Sequence, residues 1–220
     1  MSRREDIIKL LEDRDYEALS DYSKKDPGLF RTLISLAYDK TKLISWRSME
    51  AVGMLAGELA GTNPDKVRTL AQRLLWMLRD ESGNNPWSAP DMLGEMVRNN
   101  PDQLADIAPV IASFHDEEIL RQGVLRAMVR IGEVRPDLVA KQHMLVREYL
   151  KHTDATTRAY AILLAGILKQ EDLFDFLKPL AEDNSEVKLY EDGEIRTFRI
   201  CELVWKTLND AGGRLTDYAN

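Results

Sequence analysis

The sequence is poor in several things at once. One cysteine, Cys201, stands among 220 residues, so no disulfide can form within the chain, and such sparing use suits a reducing cytosol. The three histidines, His115, His143 and His152, match no metal-binding spacing such as His-Glu-x-x-His. There is no glycine-rich phosphate loop, no Gly-x-Ser-x-Gly and no Cys-x-x-Cys, so neither cofactor nor metal is expected. No run of about 18 apolar residues is present, which excludes a helical membrane span. The opening Met-Ser-Arg-Arg-Glu-Asp carries charge where a secretory leader has an apolar stretch, and a cytoplasmic location is expected. Bases are fewer than acids, 30 against 37, for a net charge of −7. Nucleic-acid binders lean on a basic surplus for their phosphate contacts, so nucleic acid is not the expected partner. The imbalance is steepest from Glu171 to Arg196, with nine acids to three bases, and reads as a solvated face.

What the sequence does contain is helical period. From Ile119 to Ile131 the apolar residues Leu120, Val124, Met128 and Ile131 form one stripe, with Gln122, Arg126, Arg130 and Glu133 opposite. Asp65–Asp80 repeats the pattern through Val67, Leu70, Ala71, Leu74, Leu75 and Leu78. Further helices are predicted at Leu29–Tyr38, Thr41–Ala60, Ala89–Asn99, Asp102–Phe114, Asp137–Lys151, Ala155–Lys169 and Leu173–Glu182. Asn63-Pro64-Asp65, Asn100-Pro101-Asp102 and Arg135-Pro136-Asp137 each set proline at a helix start with an acid just inside. Proline loses nothing there, since its missing donor would be unpaired, and the acid suits the helix dipole. The short links between helices make consecutive ones antiparallel neighbours. One stretch departs from this period: Ser185-Glu-Val-Lys-Leu-Tyr alternates, Asp192-Gly193 follows, and Glu194-Ile-Arg-Thr alternates again. Asp-Gly between alternating runs predicts a hairpin with a type I′ turn over about 185–197. Thr197 is then the expected N-cap of a last helix ending at Gly212-Gly213.

The helices pair, and the pairs resemble one another. Gly53, Gly94, Gly132 and Gly166 recur at intervals of 41, 38 and 34 residues. A period of about 35 to 45 residues built from two helices marks an α-solenoid, and glycine at the repeated spot lets neighbouring helices approach closely. The residues Trp46-Arg47…Glu50-Ala51-Val52-Gly53, Leu120-Arg121…Arg126-Ala127…Ile131-Gly132 and Thr157-Arg158-Ala159…Ala165-Gly166 carry a likeness to a known group. On these the chain resembles the HEAT-repeat superfamily, in particular the short bacterial repeats related to those of phycobilin lyases. The resemblance spans roughly residues 28 to 211. It implies an all-α, right-handed α-α superhelix with a small β-hairpin near the C-terminus. An N-terminal helical cap would cover 1–27 and the repeat domain 28–220. In the second repeat Ser88 stands where arginine is expected, after the longer loop Glu81–Pro86.

Candidate binding residues follow from the same frame. Trp76 lies about 150° from the stripe of its helix, near Arg73 and Asp80, and the resemblance places these three on the inner, concave surface. Exposed tryptophan and arginine dominate interface hot spots. Trp87 and Asp91 flank Ser88, where a capping box and a Trp87–Met92 staple would account for them structurally. Arg126 and Arg130, one turn apart on a solvated face, suit a carboxylate or phosphate group, or pair with Asp116, Glu117 or Glu133. Cys201, between apolar neighbours, is expected in the core. The function expected is that of a non-enzymatic scaffold whose concave face binds a protein or peptide. The alternative is a nucleic-acid-acting protein similar to the alkylated-base DNA glycosylases built from such repeats, for which Trp76 with Asp80 and Trp87 with Asp91 offer the residue types. A chromophore lyase is the weakest of the readings.

Overall fold

A computed structural model describes residues 3–79 and 87–210. Two short helices, α1 (Arg3–Glu12) and α2 (Tyr16–Lys25), open the chain, and the Asp15 carboxylate caps α2 by accepting from the Ala18 amide. Then come α3 (Leu29–Leu36), α4 (Leu43–Ala60), α5 (Pro64–Leu78) and α6 (Ala89–Asn99). The stretch predicted as one helix over 102–114 is broken into α7 (Pro101–Leu104), a 3-10 turn and α8 (Ala108–Ala112). Pro109 is the cause: its ring and missing donor are tolerated only in the first turn of a helix, so a new one begins there. After α9 (Glu118–Gly132), two 3-10 turns replace the start of the next predicted helix before α10 (His143–Tyr149). Next are α11 (Ala155–Leu168) and α12 (Glu171–Leu177), which Pro179 ends in a 3-10 turn over Lys178–Glu182. The strands β1 (Glu186–Glu191) and β2 (Glu194–Arg199) precede α13 (Ile200–Asp210).

The architecture is mostly helical, with one two-stranded antiparallel sheet near the C-terminus. In the hairpin Glu191 pairs with Glu194, leaving Asp192 and Gly193 as the loop, with φ of 52° and 82°. Two positive φ values are what a type I′ turn demands, and Gly193 meets that demand without strain. Thr197 does not cap a helix. It pairs with Lys188 inside β2, and α13 starts three residues later, where the Glu202 carboxylate accepts from the Arg199 amide. The expected end of that helix at Gly212-Gly213 lies outside the described residues.

The helices pack in order. α4 lies on α6, α6 on α9, α9 on α11 and α11 on α13, and each of these has its own partner behind it: α3, α5, α8, α10 and the 178–182 turn. Close approach within the first row is permitted by glycine. A Cβ on Gly53 of α4 would stand 2.5 Å from Glu95 of α6, and one on Gly94 of α6 would stand 2.6 Å from the Ala127 backbone of α9. Gly132 of α9 and Gly166 of α11 likewise face Ile167 and Thr207 of the next helix in the row. Two arginines recur in one role behind these contacts. Arg121 donates to the carbonyls of His115 and Asp116, and Arg158 to those of His152 and Thr153, each closing the turn ahead of its own helix.

Gly94 and Gly61 separate packing from propensity. Gly94→Ala must push α6 off α9, and a loss of about 2 kcal/mol is expected. Gly61 has only ordinary contact at 3.8 Å, so Gly61→Ala should be neutral or gain roughly 0.5 kcal/mol. Urea unfolding of the two variants checks the contrast.

Candidate functional site

The hairpin folds back over the helix row and reaches the first helices of the chain. Arg47 of α4 makes the longest link. It donates from Nε to the Gly193 carbonyl at 3.0 Å, pairs with the Glu194 carboxylate at 2.6 Å and donates to the Leu11 and Glu12 carbonyls at the end of α1. Beside it the Glu50 carboxylate accepts from two phenols, Tyr16 at 2.8 Å and Tyr190 of β1 at 2.6 Å. Burial raises the pKa of both tyrosines, and the Glu50 charge raises it further, so both remain donors. The Tyr190 ring stacks on Trp46 with centroids 5.8 Å apart and planes inclined by 12°. The Arg126 guanidinium lies over both rings, 5.2 Å from Trp46 and 5.8 Å from Tyr190. Cation–π contacts strengthen when desolvated, and Arg126 is only 2% exposed.

Arg126 is also the hub of a buried ion cluster. Its Nη2 donates to Glu95 Oε1 at 2.8 Å, and its Nη1 lies 3.5 Å from Asp91 Oδ1. Arg130 donates from Nε and Nη2 to the two Glu95 oxygens and from Nη1 to Glu133. Lys40 approaches Asp91 Oδ2 to 2.6 Å. Gly123 of α9 leaves the room for this, since a Cβ there would stand 2.8 Å from the same oxygen. Neither Asp91 oxygen has an aligned hydrogen bond, so charge alone holds that carboxylate. Burial pushes the Glu95 carboxyl up, but the guanidiniums of Arg126, Arg130 and Arg98 outweigh it and hold the carboxyl below the usual carboxylate range. Burial likewise works against the Arg126 charge, which Glu95 and Asp91 more than restore.

A cavity of about 580 Å³ lies between the hairpin and α9, α11 and α13. Arg98, Arg126 and Arg130 line it together with Leu163, Ile167 and Phe198. A second cavity, of about 380 Å³, opens beside Trp87, Tyr38 and Asp91, and Tyr160 borders both. Among the described residues no group of histidine, cysteine or acid side chains is arranged to hold a metal ion.

Several expectations change against this geometry. Arg126 is not on a solvated face, because α9 has neighbours on both sides and the hairpin in front, and its partners are Asp91 and Glu95. Arg130 pairs with Glu133 as expected and with Glu95 as well. Asp91 forms no capping box. It is buried against Lys40 and Arg126, the Ser88 side chain caps nothing, and Trp87 is 50% exposed. Arg73 and Trp76 are exposed, but α5 stands behind α6 and is not one of the row α4, α6, α9, α11 and α13. Asp80 lies outside the described residues. Cys201 is half-exposed, with Sγ 3.8 Å from Asn184 Oδ1, and is not a core thiol. The sequence reading missed Lys40, Glu95 and Tyr190. A signal for Glu95 existed: a carboxylate among Met92, Leu93, Gly94, Met96 and Val97 requires a buried cation, and Arg126 among Val124, Leu125, Ala127 and Met128 is the matching one.

The chain matches no protein-family model and no solved structure. It is similar to an uncharacterized protein of Archaeoglobus fulgidus, 27% identical over 181 residues, which cover 81% of this chain and 94% of that protein.

Glu95→Gln should cost about 3 kcal/mol at neutral pH, because it leaves the buried Arg126 and the half-buried Arg130 under-compensated. A carboxyl held low in the fold stabilises above its unfolded pKa of about 4.3, and that contribution is lost as pH falls through the lower folded value. The gap between wild type and Glu95→Gln should therefore be full at pH 7 and narrow below about pH 4. Chemical unfolding across that range measures it.

Proposed function

We propose that this chain is a HEAT-like helical-repeat protein, a right-handed superhelix of helix pairs, acting as a non-enzymatic scaffold for a protein or peptide partner. The observation that carries the reading is the series Gly53, Gly94, Gly132 and Gly166 on the first four helices of the row, each facing the next helix. A repeat architecture predicts such equivalent seats, because every unit buries its edge against its neighbour. The matching turn-closing roles of Arg121 and Arg158 add to it. The scaffold reading draws on how the polar interior is spent: Asp91, Glu95, Arg126 and Arg130 compensate one another.

With the hairpin seated over Trp46 and Arg126, the partner's anchors are assigned to the surface that remains. Trp76, 66% exposed, and Arg73 present an aromatic and a guanidinium on α5, and Trp87 offers a second exposed indole. A hot-spot residue is worth about 2 kcal/mol or more when truncated. Affinity capture from extracts of the source cells, quantified by mass spectrometry, should therefore lose at least one partner about 30-fold with Trp76→Ala or Arg73→Glu. Retention of every wild-type partner by both variants, each still folded by circular dichroism, would refute the assignment.

A further inference from the structure

The hairpin sets β1 against the helices and leaves β2 outside. Val187 and Leu189 of β1 are buried and β1 packs on α11, whereas no residue of β2 is buried. Which main-chain groups β2 turns away from β1 follows from the register. Opposed residues of an antiparallel pair alternate between exchanging both main-chain bonds and exchanging neither. Glu191 and Glu194 close the two-residue loop and exchange both, as do Leu189 with Arg196 and Val187 with Phe198. The same alternation sets Ser185 opposite Ile200, whose amide donates to the Ser185 carbonyl. Ile195, Thr197 and Arg199 therefore point their main-chain groups away from β1. The Arg199 amide is taken by the Glu202 carboxylate. The amides and carbonyls of Ile195 and Thr197 have no protein partner among the described residues.

Such an edge is a template for another strand, and proteins close theirs with proline, bulges, charge or a covering element. β2 has no proline and pairs without a bulge. Its charges set a preference: Glu194 is tied to Arg47, Arg196 is half-exposed with acids no nearer than 3.5 Å, and the Arg199 side chain has no acidic partner among the described residues. An added strand with an acid opposite Arg196 gains a cross-strand charge pair. A second copy fits poorly. The two-fold register that uses the Ile195 and Thr197 groups of both chains sets Arg196 opposite Arg196, a like-charge pair.

We propose that the outer edge of β2 takes up an extended acidic peptide as a third strand, its main chain bonding to Ile195 and Thr197 and a carboxylate facing Arg196. This is strand addition, in which main-chain bonds give affinity and facing side chains give selectivity. The edge is distinct from the anchors on α5 and does not depend on them.

In the free chain the Ile195 and Thr197 amides should exchange with solvent at least about 100-fold faster than those of Arg196 and Phe198, which β1 holds. The probe is a capped seven-residue peptide of alternating threonine and valine with glutamate at its centre, titrated into the full chain and followed by amide NMR. It should shift and protect the Ile195 and Thr197 amides with a Kd below about 1 mM, and lysine in place of its glutamate should weaken it about fivefold. N-methylation of the two threonines beside that glutamate should abolish binding, because their amides face β2. Thr197→Pro removes an outward donor and no bond to β1, so the hairpin should remain and binding fall at least about tenfold. Arg73→Glu, on α5, should leave binding unchanged. Slow exchange of the two amides in the free chain, no shift at about 5 mM peptide, equal binding of the N-methylated or lysine peptide, wild-type affinity in Thr197→Pro, or self-association of the chain through this edge would each overturn the proposal.

Discussion

Glu95 is the residue on which the interior turns. It sits in the middle of α6, a helix with nine of its eleven residues buried, and its own backbone and Cβ are what Gly53 of α4 packs against. A carboxylate carried that deep forfeits several kcal/mol of hydration, and only close, well-directed cations restore it. Arg126 and Arg130 do so from α9. Helix approach and charge pairing are thus one constraint: the glycines bring the helices near enough for the ions to meet, and the ions fix how the helices face each other.

The same arginine joins this cluster to the hairpin. Arg126 faces Glu95 and Asp91 on one side and the stacked rings of Trp46 and Tyr190 on the other. The hairpin is therefore seated on the helices through a desolvated cation as well as through the bonds of Tyr190 to Glu50 and of Glu194 to Arg47. Its inward residues Val187 and Leu189 are buried, while Glu186 and Lys188 alternate outward, the pattern of a strand with one covered face.

Much of this was legible in the sequence, and what was not has a physical cause. The proline-acid starts at Pro64 and Pro101, the Asp192-Gly193 loop and the recurrent glycines are local signals that the structure places where local chemistry requires, whereas Pro136-Asp137 opens only a 3-10 turn. Pro109 and Pro179 were also present to be read, and both break helices that periodicity alone drew as continuous. The site was less legible because periodicity assumes that a helix has a wet side. α9 has almost none, so a polar residue on its outward arc, Arg126, meets buried carboxylates where water was expected. Asp91 misled for a similar reason, since three residues after a serine it has the spacing of a cap and yet points into the interior. The stack of Trp46 on Tyr190 joins residues 144 positions apart, and no local pattern encodes such a contact.

The reach of the hairpin loop to Arg47, 146 residues away in the chain, bears on how the molecule deforms. Helix pairs tied only to their immediate neighbours behave as a spring, each joint flexing on its own account and the two ends moving independently. Here the hairpin loop is bound back to α4 and, through Arg47, to the end of α1, so the row of helices is braced across its length. Bending at any one joint must then be shared by all of them or must first undo the brace, so the end units would fray together and not one by one.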